Sequence, residues 1–200
     1  MLMKETLIQL IKRVKQCRIC ERKLPFPPKP IFIVSATAKL LIVGQAPGIR
    51  VHKTGIPWND PSGDRLRLWL NLNREQFYNE SKIAIIPAGL CYPGKSVRGD
   101  IPPMPECAPK WHPEFRKHLN KLKLTLLVGN HAQNFYLKGR LKKTMADTVR
   151  AYNEYLPHFF PIPHPSPRNI MWFRNNLWFE KEVLPQLKQI VSTILNDTKS

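Results

Sequence analysis

The chain has 200 residues, 42% of them apolar, enough for one domain with a full hydrophobic core. No run of about 18 apolar residues occurs, which excludes a transmembrane helix, and the charged, amphipathic N-terminus lacks the apolar centre of a secretory signal. Lys and Arg number 32 against 14 Asp and Glu, a net charge of +18, and a soluble domain this basic calls for a polyanionic partner, nucleic acid first.

Taken in order, residues 3–16 place Leu7, Ile8, Leu10, Ile11 and Val14 at helical spacing, with a basic outer face. Cys17-Arg18-Ile19-Cys20 follows, and then the Pro-rich stretch 24–30, which must be extended. Ile31 to Val34 reads as a short edge strand and Lys39 to Val43 as the first core strand. That strand breaks at Gly44 into a loop, Gly44-Gln45-Ala46-Pro47-Gly48 through Asp60, too long to be a simple connector. Asp64 to Leu72 is a buried helix, with Ser62 or Asp64 as its cap.

Lys82 to Pro87 is a second buried strand and ends in Ala88-Gly89-Leu90-Cys91. A Pro/Gly/Lys loop spans 94–110, and a helix is expected from Pro113 to Lys121. Leu124 to Val128 is the third strand, closed by Gly129-Asn130, with a helix over His131 to Leu137. Thr144 opens a helix over 144–154, with Asp147 three residues on in the manner of a capping box. His158 to Pro163 is a fourth strand, placed near an edge by Pro161, and it delivers His164 to Asn169. The last helix runs from Asn175 to Leu195, kinked or split by Pro185.

Strands alternating with helices predict an α/β fold with a parallel sheet covered on both faces. Under the crossover rules, the four post-strand loops gather at the carboxyl ends of the strands. Prolines cluster at 25–30, 93–113 and 157–167, between periodic segments, and no linker divides the chain, so residues 1–200 read as a single domain.

The cysteines follow a C-x2-C pair, 70 intervening residues, and then C-x15-C. Four cysteines beside Pro-rich loops in a cytoplasmic chain suit a thiolate site better than disulfides. By residue type alone the site fits zinc and iron–sulfur equally.

In this order the motifs resemble the uracil-DNA glycosylase superfamily, closest to its iron–sulfur-containing families four and five. The resemblance covers about residues 15 to 190 and rests on Cys17, Cys20, Cys91 and Cys107, on GQAPG at 44–48, on GIPWNDPSGDRL at 55–66 and on HPSPRN at 164–169. It implies a three-layer α/β/α sandwich around a four-stranded parallel sheet. It also implies a [4Fe-4S] cluster on the four cysteines, with zinc as the alternative, and base excision from DNA by hydrolysis of the N-glycosidic bond. A monomeric hydrolase acting in base-excision repair is the resulting expectation.

Carried over residue by residue, the resemblance makes Trp58 the aromatic that stacks on the flipped base, His164 the donor to the base carbonyl and Asp60 the carboxylate that steadies the oxocarbenium-like sugar and aligns the water. Gly44 and Ala46 let the backbone approach the base. Gln45 replaces the family-four acid, and Ala46 stands where family one has an Asp. Pro87 stands where family four reads uracil with an Asn, so the expected substitutes are the backbone at Ala88 and Gly89, or Asn130. Ser166, Arg168, Asn169 and Arg174 are expected on DNA, with Arg168 or the pair Ile170 and Met171 as a wedge. Lys95, Arg98 and Lys110 are further candidates for phosphate contacts.

Overall fold

A computed structural model of the chain describes residues 5–97 and 99–197. The first helix, α1 (Leu7–Lys15), opens on a capping box in which Thr6 and Gln9 satisfy each other's backbone N–H groups. Then come β1 (Leu40–Val43), α2 (Ile49–Thr54), α3 (Pro61–Leu70), α4 (Arg74–Phe77) and β2 (Ile83–Ile85). A two-strand hairpin, β3 (Lys95–Ser96) with β4 (Gly99–Asp100), leads into α5 (Cys107–Arg116). The second half holds β5 (Leu124–Val128), α6 (Asn130–Tyr136), α7 (Met145–Arg150), β6 (Phe159–Ile162), α8 (Ile170–Asn175) and α9 (Leu184–Asn196).

The main sheet has the order β2-β1-β5-β6, and every pairing in it is parallel. All four residues of β1 are buried, because successive side chains enter opposite cores. Leu40 and Ile42 join Leu66, Trp69, Leu187 and Val191 under α3 and α9. Leu41 and Val43 join Leu10, Val14, Trp111 and Phe115 under α1 and α5. The sheet is thus the middle layer of an α/β/α sandwich. From β1 the chain goes outward to β2 and then crosses to β5 on the other side of β1. A crevice therefore opens at the carboxyl ends of β1 and β5, beyond Gly44 and Gly129.

Several boundaries differ from expectation. The segment 31–34 makes only one antiparallel bridge, Ile33 to Ile85, alongside β2. The cap of α3 is Asp60, not Ser62 or Asp64, and Pro61 takes the first helical turn, where its missing N–H costs nothing. Short helix α2 lies inside the stretch that reads as a loop after Gly44, and α4 lies between the expected helix at 64–72 and the expected strand at 82–87, where the sequence predicts no element. The helix expected at 113–121 begins earlier, at Cys107, with Pro113 inside it. The helix at 144–154 ends at Arg150 and continues as a 3-10 turn, Tyr152–Tyr155. Pro161 does sit on the edge strand β6. The C-terminal helix is divided: Pro185 lies in the first turn of α9, after a π-helical turn, Phe179–Val183. Among the described residues no helix is long and apolar enough to cross a membrane. Met3 and Arg98 lie outside the described residues.

Candidate active site

A cavity of about 270 Å³ lies in the crevice, and Gly44 to Gly48, Trp58, Asp60, His164 and Ser166 line it. This is close to the lower end of the usual range for small-molecule sites, about 300 Å³. Trp58 has φ 57, a left-handed conformation that a bulky residue holds only at a cost of roughly 1–3 kcal/mol. The strain is held from three sides. A Cβ on Gly63 would lie 1.7 Å from the Trp58 carbonyl oxygen, and one on Gly44 would lie 2.7 Å from the indole Cζ2. The buried Arg67 donates to the Trp58 carbonyl at 3.2 Å and pairs with Asp64 at 2.5 Å. The indole ends 5.5 Å from the His164 ring, centroid to centroid, at 31°.

Asp60 has two functions at once. One oxygen accepts the Gly63 N–H at 2.8 Å as the cap of α3, and the carboxylate lines the cavity. His164 is fixed through its backbone: Asn169 donates to its carbonyl at 2.8 Å, and Arg65 donates to the carbonyls of Pro165 and Ser166 at 3.3 and 3.4 Å. Gly129, at φ 82, passes so close that a Cβ there would lie 3.1 Å from that of His164. Burial pushes the imidazole pKa down to about 4, with Asp100 pulling upward and His131 pushing down, so the ring is neutral at physiological pH. No hydrogen bond among the described residues engages the His164 ring nitrogens or the Gln45 amide. Both residues also border a neighbouring cavity of about 200 Å³.

Residues 32–188 match the family model of the uracil DNA glycosylase superfamily. The chain belongs to this superfamily. DNA is therefore its substrate class and base excision its reaction class.

Against that superfamily frame, several expected site residues fall elsewhere. The Ala88 and Gly89 N–H groups do not face a substrate, because they donate to the carbonyls of Gly44 and Gln45 at 2.9 and 2.8 Å. They extend the β1–β2 ladder beyond the strands. Pro87 does line the cavity, but its carbonyl receives Nε2–H of the buried His112 at 3.1 Å. The acceptor fixes that tautomer, and His112 Nδ1 takes the Tyr136 hydroxyl at 2.7 Å. The wall after β2 thus has its polar groups committed within the protein. Asn130 borders the neighbouring cavity, not the main one. Arg174 is exposed on α8 and lines neither cavity. Ser166, Arg168 and Asn169 are at the main cavity as expected, and Ala46 also lines it. Ile170 and Met171 are exposed, 48% and 58%, as a wedge requires.

One acidic residue at the cavity was not anticipated: Asp100, carried there by the β3–β4 hairpin. Two-residue strands leave no periodicity to find. The glycines at 94 and 99, at φ 108 and 128, are the only trace of the hairpin in the sequence.

The four cysteines, from three places in the chain, line one small cavity of about 20 Å³ walled by Leu24, Leu90, Met104 and Trp111. All are free thiols. Burial raises Cys91 to about 11 and Cys107 to about 12, and neighbouring cysteines add to the rise. The Leu90 N–H donates to Cys107 Sγ at 3.3 Å. As they stand, the described residues include no group of three or more His, Cys, Asp or Glu side chains that could hold a metal ion. The donor chemistry nonetheless fits a thiolate-held centre: four sulfurs, apolar walls and no competing carboxylate on the lining. Space for little more than a water or two means that any centre here must bond to the sulfurs directly. The superfamily match begins at residue 32, so Cys17 and Cys20 lie outside it.

Proposed function

We propose that the chain is a monofunctional DNA glycosylase that hydrolyses the N-glycosidic bond of a flipped-out deaminated base, uracil first. One observation carries this reading: Trp58 and Asp60, from the loop before α3, and His164, more than 100 residues on, line one cavity at the switch point of the sheet. Base flipping delivers the nucleotide to that cavity. Trp58 supplies a stacking face. As the bond breaks, its electron pair passes to the base, and the neutral His164 donates a hydrogen bond to the base carbonyl where that charge gathers. The free oxygen of Asp60 aligns a water for attack on the sugar carbon and takes its proton. The Gln45 amide, which has no hydrogen-bond partner among the described residues, orients the water or the base edge but cannot act as a base.

The closed wall at Pro87, Ala88 and Gly89 favours a second reading within this reaction, in which another base such as hypoxanthine is preferred. An oligonucleotide panel decides between them: uracil opposite guanine, uracil in single strands, and hypoxanthine, each followed by hot alkali. Nicked product from at least one substrate is expected, and the pattern names the base. No abasic product from any substrate overturns the reading.

We also assign a [4Fe-4S] cluster to Cys17, Cys20, Cys91 and Cys107, serving to hold the N-terminal segment and the 91–107 loop to the sandwich. The support is the convergence of the four sulfurs on one apolar-walled cavity. Brown protein with broad absorbance near ~400 nm is expected of such a centre. Colourless protein with stoichiometric zinc overturns the assignment.

A further inference from the structure

The hairpin that carries Asp100 is fixed against the His164 loop. A Cβ on Gly99 would lie 2.3 Å from Nη1 of Arg168, so the guanidinium packs directly on the hairpin backbone. Ile101 N–H closes onto the Gly94 carbonyl at 3.1 Å, and the Ser96 hydroxyl onto the Gly99 carbonyl at 3.1 Å. The position of Asp100 on the cavity wall is therefore set by several contacts rather than by a free loop.

The bland role for Asp100 is pairing with Lys95, its cross-strand neighbour in the hairpin. No ion pair within 4.0 Å forms between them, and the described residues provide the Asp100 carboxylate with no other hydrogen bond or ion pair. In a chain with 32 Lys and Arg against 14 Asp and Glu, it is an unpaired negative charge at the cavity through which DNA must enter. There it repels phosphate, so it weakens affinity. Asp60, by comparison, has one oxygen committed to capping α3.

We propose that Asp100 is a second catalytic carboxylate of this site, contacting the deoxyribose of the flipped nucleotide and stabilising the positive charge that develops on it. The inference rests on the glycosylase reading above. The division of work follows from position. Asp100 is exposed on the cavity wall, whereas Asp60 is half-buried there. Asp60 aligns the water and takes its proton. The N-glycosidic electron pair leaves with the base toward His164, so the cation and the anion of the transition state each face a group of suitable charge.

The test is single-turnover excision by Asp100→Asn, with binding measured separately on an uncleavable analogue of the excised nucleotide. The expected result is a rate loss of about 10²-fold or more, the scale seen for one preorganised electrostatic group, with affinity for DNA unchanged or tighter. A rate within threefold of wild type overturns the proposal, as does a rate loss matched by an equal loss of binding. Thermal unfolding of Asp100→Asn and Asp100→Ser guards against a folding defect. An active wild type with an unimpaired Asp100→Asn removes Asp100 alone. A wild type that excises no base removes the reaction, and the proposal with it. Titration of His164 by NMR reports the geometry separately: its pKa falls in Asp100→Asn, and an unchanged titration places the carboxylate out of range.

Discussion

The cavity at the carboxyl ends of the strands and the four-cysteine cavity lie on either side of the segment 87–91, and they differ in what their side chains are bonded to. The first has about 270 Å³ of space and polar groups that find no partner among the described residues, such as the Gln45 amide and the His164 ring. The second has about 20 Å³, apolar walls and two thiols, Cys91 and Cys107, whose pKa burial raises. Unspent hydrogen-bonding capacity next to a strained Trp58 is expensive for folding and useful only if a ligand arrives. Four sulfurs in a closed apolar space have no use for a passing ligand and suit a permanent one. The strand end between them serves both: Pro87 faces the first cavity, Cys91 the second, and the N–H groups of Ala88 and Gly89 join them to β1.

The contrast breaks most sharply at the cysteines. Cys107→Ser should deplete folded protein and abolish the absorbance near ~400 nm, because a structural metal site can carry on the order of 10 kcal/mol of folding free energy. Melting curves and visible spectra of the purified variant check this. A variant that melts with the wild type would mean that the four-cysteine cavity is only packing. His164→Ala, on the other side, should leave folding intact and slow single-turnover excision by about 10²–10³, the value of one donor to a developing anion. If stability fell and the rate did not, the roles of the two cavities would be reversed.

The wall between the cavities has its own pH signature. His112 is 2% exposed, and burial pushes its pKa to about 4 from an ordinary value near 6.5. Above pH 6.5 the ring is neutral in folded and unfolded chains alike, so it adds no pH dependence. As pH falls from 6.5 to about 4, the unfolded chain takes up a proton that the folded chain refuses, and stability drops by on the order of 3 kcal/mol. His112→Gln removes the titrating ring. Its melting temperature should therefore vary less with pH in this window than that of the wild type, and parallel curves would contradict the buried neutral ring.

The sequence made the sheet legible because buried parallel strands are continuous apolar runs, and 39–43, 82–87 and 124–128 are built around such runs, each bounded by turn residues. It made the order of the motifs legible, and with them Trp58, Asp60 and His164. Asp100 stayed hidden, since a carboxylate in a Pro/Gly loop has no spacing signature and reaches the cavity only through the turns at Gly94 and Gly99. Ala88 and Gly89 misled for a related reason. Whether a backbone N–H is free depends on how far the ladder runs past the strand, and here it runs to Gly89. Helices α2 and α4 are too short for periodicity and are set by their ends: Gly48 at one, and the Asn73–Gln76 capping box at the other.

The finest test of the open cavity leaves every polar group in place. Gly44 has no conformational need to be glycine beyond the indole above it, so Gly44→Ala adds one methyl that would sit 2.7 Å from Trp58 Cζ2. The Trp58 backbone cannot retreat, because Gly63 and Arg67 hold its carbonyl, so the ring itself must tilt toward the cavity or toward His164. Overpacking of this kind costs about 1–3 kcal/mol. If Trp58 is the stacking face, most of that cost should appear as weaker binding of an extrahelical base analogue, with a smaller loss of stability and little change in affinity for undamaged duplex. A shift in melting temperature with base binding untouched would place Trp58 in the core alone and leave the cavity without its stacking wall.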